Sequence, residues 1–124
     1  MKFMLALIGA LMFMSPAVAQ HAHGSKGPNG GIMEDVAGVH AELLTSGNTI
    51  TVNIFNEGGK PLSTKAYSGS ILVVSGPNRE TVNLAPSGEN ALKGETKNAI
   101  APGAAITLMV KTDAGKSGQA RFKK

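Results

Sequence analysis

The chain has 124 residues, 42% of them hydrophobic, with 12 Lys and Arg against 8 Asp and Glu, three His, and no Cys or Trp. Its length suits a single domain. The missing cysteines exclude disulfides, a thiolate metal site and a cysteine nucleophile, and a formal charge of +4 scattered among acidic residues is too small and dispersed for a nucleic-acid footprint.

The first twenty residues, MKFMLALIGALMFMSPAVAQ, carry one cation at Lys2, an apolar run over 3–14, then Ser15, Pro16 and the small-x-small triplet Ala17-Val18-Ala19. This is the layout of a secretory signal peptide. The run falls short of the ~20 residues needed to cross a bilayer. Cleavage after Ala19 divides the chain into a signal peptide (1–19), a flexible His/Gly-rich tail (20–30) and a β-sandwich domain (31–124). The expected product is exported to the periplasm with no membrane insertion after cleavage. The leader takes Met1, Met4, Met12 and Met14 with it, leaving Met33, Met109 and all three histidines, and the loss of Lys2 lowers the charge from +4 to +3.

Residues 20–30 are rich in His, Gly, Ser, Lys, Pro and Asn and have too little apolar surface to order themselves unaided. From Gly31 onward, short apolar runs alternate with turn clusters and no helical periodicity emerges, which predicts an all-β fold. An opening strand falls at 32–36. VHAELLT (39–45) turns Val39, Ala41 and Leu43 inward and His40 and Glu42 outward. After the turn Ser46-Gly47-Asn48, TITVNIF (49–55) buries Ile50, Val52 and Ile54. SILVVS (70–75) lacks alternation and suits a strand covered on both faces or one that changes partner sheets.

Gly76-Pro77-Asn78 breaks that run, and ETVNLAP (80–86) follows with Val82 and Leu84 inward and Pro86 as a stop. A weaker segment lies at 91–93. AITLMVK (105–111) and GQARFK (118–123) close the chain around Asp113-Ala114-Gly115. About seven or eight strands in roughly 100 residues match an immunoglobulin-like Greek-key β-sandwich. Only Phe55, Tyr67 and Phe122 are aromatic in this region, so Val, Ile and Leu must fill the core.

The chemistry available is limited. No G-x-S-x-G elbow occurs, and a serine nucleophile would have only His40 as a base in the ordered region. GSKGPNGG lacks the Gly-Lys-Ser/Thr end of a phosphate-binding loop. Glu34 and Asp35 are neighbours that point to opposite faces of a strand. The chain is therefore not expected to be an enzyme. A carbohydrate-binding sandwich would display exposed aromatics, for which only Phe55 and Tyr67 are candidates.

Metal binding fits better. The amine of Gln20, the amide after it and the imidazole of His21 are adjacent nitrogen donors suited to Cu(II) or Ni(II), and His23 follows two residues on. Cyclisation of Gln20 to pyroglutamate would remove the amine. His40, with Met33 or Glu34, is the second candidate donor group, since imidazole with thioether favours copper, Cu(I) above all. Met109 alternates with Leu108 and Val110 and faces away from them.

The succession HGSKGPNGG (23–31), VHAELL (39–44), GGKPLST (58–64) and the closing DAGKSGQARF (113–122) resembles a group of small exported bacterial β-sandwich proteins. These have an HG-x-GG start, a strand of the type YHVELV, a GKPL loop and a final DGK hairpin, and are encoded beside or fused to heavy-metal efflux systems. The resemblance implies a sandwich fold and a role near metal efflux or resistance, and carries over His23 and His40. It departs at Val39, where the group often has an aromatic. The chain is also similar in size to periplasmic copper-resistance sandwiches, which use amino-terminal histidines.

Taken together, the expected function is a periplasmic metal-binding accessory or carrier, for copper first with nickel and zinc open. Its metal ligands would be His21, His23, His40 and Met33, and its partner a metal-efflux or envelope protein. The alternative is a metal-free interaction module acting through a sandwich edge by strand addition.

Overall fold

A computed structural model describes residues 25–124. Within them the chain is all-β: β1 (Ser25–Lys26), β2 (Ile32–Val36), β3 (Val39–Ser46), β4 (Thr49–Phe55), β5 (Ser68–Ser75), β6 (Asn78–Ser87), β7 (Ala91–Glu95), β8 (Ala105–Lys111) and β9 (Ser117–Lys123). All pairings are antiparallel, and the nine strands form one curled, half-barrel sheet in the order β1-β2-β3-β4-β7-β6-β5-β8-β9.

Period-two alternation builds the core. Ala41 and Leu43 on β3, Ile50, Val52 and Ile54 on β4, Ile71 and Val73 on β5, and Ile106, Leu108 and Val110 on β8 all point inside the curl. Leu92, Ala120 and Phe122 join them from β7 and β9. The filling is aliphatic with Tyr67 and Phe122 as its two rings, as the composition requires. Full burial of each Val, Leu, Ile or Phe side chain among them contributes about 1.5–3 kcal/mol.

The curl comes from β6. Its residues from Asn78 to Leu84 pair with β5, and then Ala85, Pro86 and Ser87 pair with β7. Gly94 permits this crossing, because a Cβ there would lie 2.9 Å from the Asn83 carbonyl oxygen and 2.7 Å from Val82 Cγ1. The two ends of the sheet then approach each other. A Cβ on Gly118 of β9 would come within 2.8 Å of the Ala37 nitrogen in the β2–β3 turn. That turn is the two-residue Ala37-Gly38, with φ of 51° and 82°, the left-handed backbone that tight hairpins require.

Several expectations are revised by the structure. Nine strands are present among the described residues; the added one is β1, within the stretch expected to be the end of a flexible tail. Ser25 and Lys26 thus pair with the sheet although they lie before residue 31. SILVVS is a central strand, flanked by β6 and β8 and alternating buried Ile71 and Val73 with half-buried Leu72 and Val74. The change of partner belongs to β6. Pro86 does not stop that strand, because it sits one residue from its end and a missing N–H is tolerated at a sheet margin.

Candidate functional site

The chain enters the sheet through a turn that only glycine could make. Gly30 N–H donates to the Gly27 carbonyl (3.0 Å) and Gly27 N–H to the Gly31 carbonyl (2.7 Å), folding Pro28 and Asn29 into the bend, with Gly30 at φ 83°. Beneath it lies Glu42, fully buried although its strand position faces away from the core. The Glu42 carboxylate accepts from Asn29 N–H (2.8 Å), Asn29 Nδ2 (2.8 Å) and Gly31 N–H (3.0 Å). Charge-assisted bonds of this kind offset the cost of burying the carboxylate. A Cβ on Gly27 would fall 2.4 Å from Glu42 Oε2, and one on Gly31 would fall 2.4 Å from the Leu43 carbonyl oxygen. The GPNGG stretch is therefore shaped around a carboxylate of its own chain, and no phosphate or other ligand is needed to explain its glycines.

One hairpin step along from Glu42 stands His40. The β2–β3 register sets Met33 opposite Glu42 and Asp35 opposite His40, and the β3–β4 register sets Phe55 on the other side of His40. His40 Nδ1 meets Asp35 Oδ1. The ring N–H donates to the carboxylate, which leaves Nε2 as the imidazole's open nitrogen. His40 is about one-third exposed and Asp35 mostly exposed, so the pair is open to solvent.

The turn after β4 completes this corner. Asn56 fastens it, accepting from Lys60 N–H at its side chain (2.9 Å) and exchanging backbone bonds with Lys60 and Gly59. This brings Glu57 to the rim of a cavity of about 230 Å³ shared with Asp35, Gly38, Val39 and His40. On the other side of Ala37-Gly38 a second hollow, of about 360 Å³, lies between the β2–β3 turn, Tyr67 and the β8–β9 turn at Asp113 and Lys116. Burial, reinforced by the negative charge of Asp113, raises the Tyr67 phenol above its ordinary pKa.

The expected ligands are distributed unevenly. His21 and His23 lie outside the described residues. Met33 and His40 share one face but are separated by a register step, with Met33 beside Glu42 and between β1 and β3. Glu34 is set opposite Ala41 and so belongs to the other face of β2; it is not a companion of His40, and Asp35 takes that place. Among the described residues no three of His, Cys, Asp and Glu come together in a group able to hold a metal ion. What the corner offers is one imidazole nitrogen, oriented through its other nitrogen by a carboxylate, the arrangement that metal-binding histidines commonly have.

No family model, no curated protein and no solved structure matches this chain.

Proposed function

We propose that this chain is an exported, non-enzymatic carrier or accessory for a copper-type metal ion, serving an efflux or resistance system of the periplasm. His40 is its fixed ligand, and His21 and His23 bring the remaining imidazoles. The observation that carries the reading is the His40–Asp35 pair. A carboxylate on Nδ1 fixes the tautomer, aims Nε2 outward and strengthens it as a donor.

Proximity along the chain supports the same reading: His23 stands two residues before Ser25, and Ser25 pairs with Met33, two residues from Asp35 on β2. Nitrogen donors of this kind rank copper first among the first-row divalent ions, and Met33 on the same face would favour Cu(I). The leader supports export. The strand order β4-β7-β6-β5, three hairpin-linked strands returning beside a fourth, supports the finer assignment of an immunoglobulin-like Greek-key sandwich whose two layers share β6.

The test is a Cu(II) titration of the exported chain beside His40→Ala, a His21→Ala/His23→Ala double variant, their combination and Asp35→Asn. Asp35→Asn should weaken binding about 10-fold to 100-fold, and the His40 and tail substitutions should be non-additive because they share one ion. Unchanged affinity in His40→Ala would detach the domain from the metal. No affinity in any form would leave the strand-edge interaction module in its place.

A further inference from the structure

The outer face of β6, β5, β8 and β9 is divided into rows by their registers, and its charges are all of one sign. Arg79 and Lys123 end the first row, Arg121 ends the second, Met109 lies in the third and Lys111 in the fourth. None of the chain's eight carboxylates occupies this face. Asp113 is nearest in sequence, but it lies in the turn beyond β8 and acts on Tyr67. The middle is uncharged. Met109 is the exposed large hydrophobic residue among the described ones, at 45%, and it floors an open groove of about 570 Å³ together with Ser70, Lys111 and Gln119.

Size and spacing narrow the occupant. Four strands ~4.8 Å apart, crossed by seven-residue β8, make a face of roughly 14 by 20 Å between backbone positions. That is well below the ~800 Å² per partner of a standard protein interface, and a groove is a poorer fit to a flat bilayer than to an inserted segment. Rows along a strand repeat every ~6.6 Å, so Arg121 and Lys111 stand ~13 Å apart along the strand direction with Met109 midway. In an extended peptide, residues i, i+2 and i+4 point the same way and span the same ~13 Å.

We infer that this face binds a short extended acidic segment of another protein, with carboxylates at i and i+4 on Arg121 and Lys111 and an apolar side chain at i+2 over Met109. The site is separate from the His40 corner and independent of metal.

The probe is the blocked pentapeptide Glu-Thr-Leu-Thr-Glu, titrated into the isotope-labelled exported chain without metal while backbone amide signals are followed. Shifts should concentrate at Ser70, Met109 and Gln119. Lys111→Glu and Arg121→Glu should each weaken binding about threefold to fivefold, the range for single exposed ion pairs. Lys93→Glu, on the other half of the sheet, should leave it unchanged. The peptide with Gln at both ends, or with Thr in place of Leu, should bind more weakly. Equal binding of the Gln peptide, or shifts spread over cations around the whole molecule, would overturn the inference. So would shifts at these amides with phosphatidylglycerol vesicles and none with the peptide, which would make the face a membrane contact.

Discussion

Tyr67 offers an unobstructed readout at the residue scale, because it is the chain's one tyrosine and there is no tryptophan. Phenolate absorbance therefore follows a single group. Burial beside the core, and secondarily the charge of Asp113, disfavour its ionised form, so the folded chain holds this proton more tightly than the unfolded chain does. A raised pKa of this kind contributes stability that is fully present below the unfolded value near 10 and is lost as pH rises through the folded value. An ultraviolet titration should give a midpoint above 10.0, and Tyr67→Phe should flatten the alkaline fall of the melting temperature in that window. A midpoint at or below 10.0 would mean that the phenol is solvated in solution.

At the scale of elements, the β1–β2 turn shows how much of this molecule is legible in its sequence. Apolar runs and turn clusters placed the strands from β2 to β9, and alternation settled the facing where it was clear, since Ile50, Val52 and Ile54 admit one facing only. The same alternation set His40 and Glu42 outward, and both do face away from the core. It could not reveal that Glu42 is roofed over, because the roof is a glycine-rich stretch whose composition is that of a loose tail. Its order comes from a carboxylate at least eleven residues away.

Asp35 was equally hidden, as two adjacent acids look alike until the register settles which one meets His40. A signal was present in retrospect: two glycines flanking Pro-Asn, with a lone Glu on the outer face of the next hairpin strand, describe a turn that needs an acceptor. Gly31→Ala tests this account. Its Cβ would strike the backbone oxygen of Leu43, which cannot swing aside, so the variant should lose about 1–3 kcal/mol in denaturant unfolding. Gly27→Ala should also destabilise the fold, because its Cβ would lie 2.4 Å from Glu42 Oε2 and 2.7 Å from Cγ, and the buried carboxylate can give way only by losing its bonds to Asn29 and Gly31. Unchanged stability in both variants would show that the turn is not seated as described.

Across the whole molecule, the curl of the sheet separates two chemistries. One outer face carries Asp35, His40 and the buried Glu42 beside the point where the chain enters, and the other carries Arg79, Lys111, Arg121 and Lys123 around Met109. Under the proposed function that separation has a use, since an ion held at the first face leaves the second free for the acidic segment inferred above. On the same proposal the sheet holds His40 in place and His21 and His23 are the further donors.

The central claim is that His40 and the tail histidines grip one ion. Paramagnetic broadening tests it most directly, because Cu(II) erases the amide signals of residues around it. Added below one equivalent to the labelled chain, Cu(II) should erase Asp35 and His40 together with Ser25, which stands two residues from His23, and in His40→Ala it should spare Asp35 while still erasing Ser25. Broadening confined to Ser25 and the residues before it, with His40 untouched, would contradict the claim.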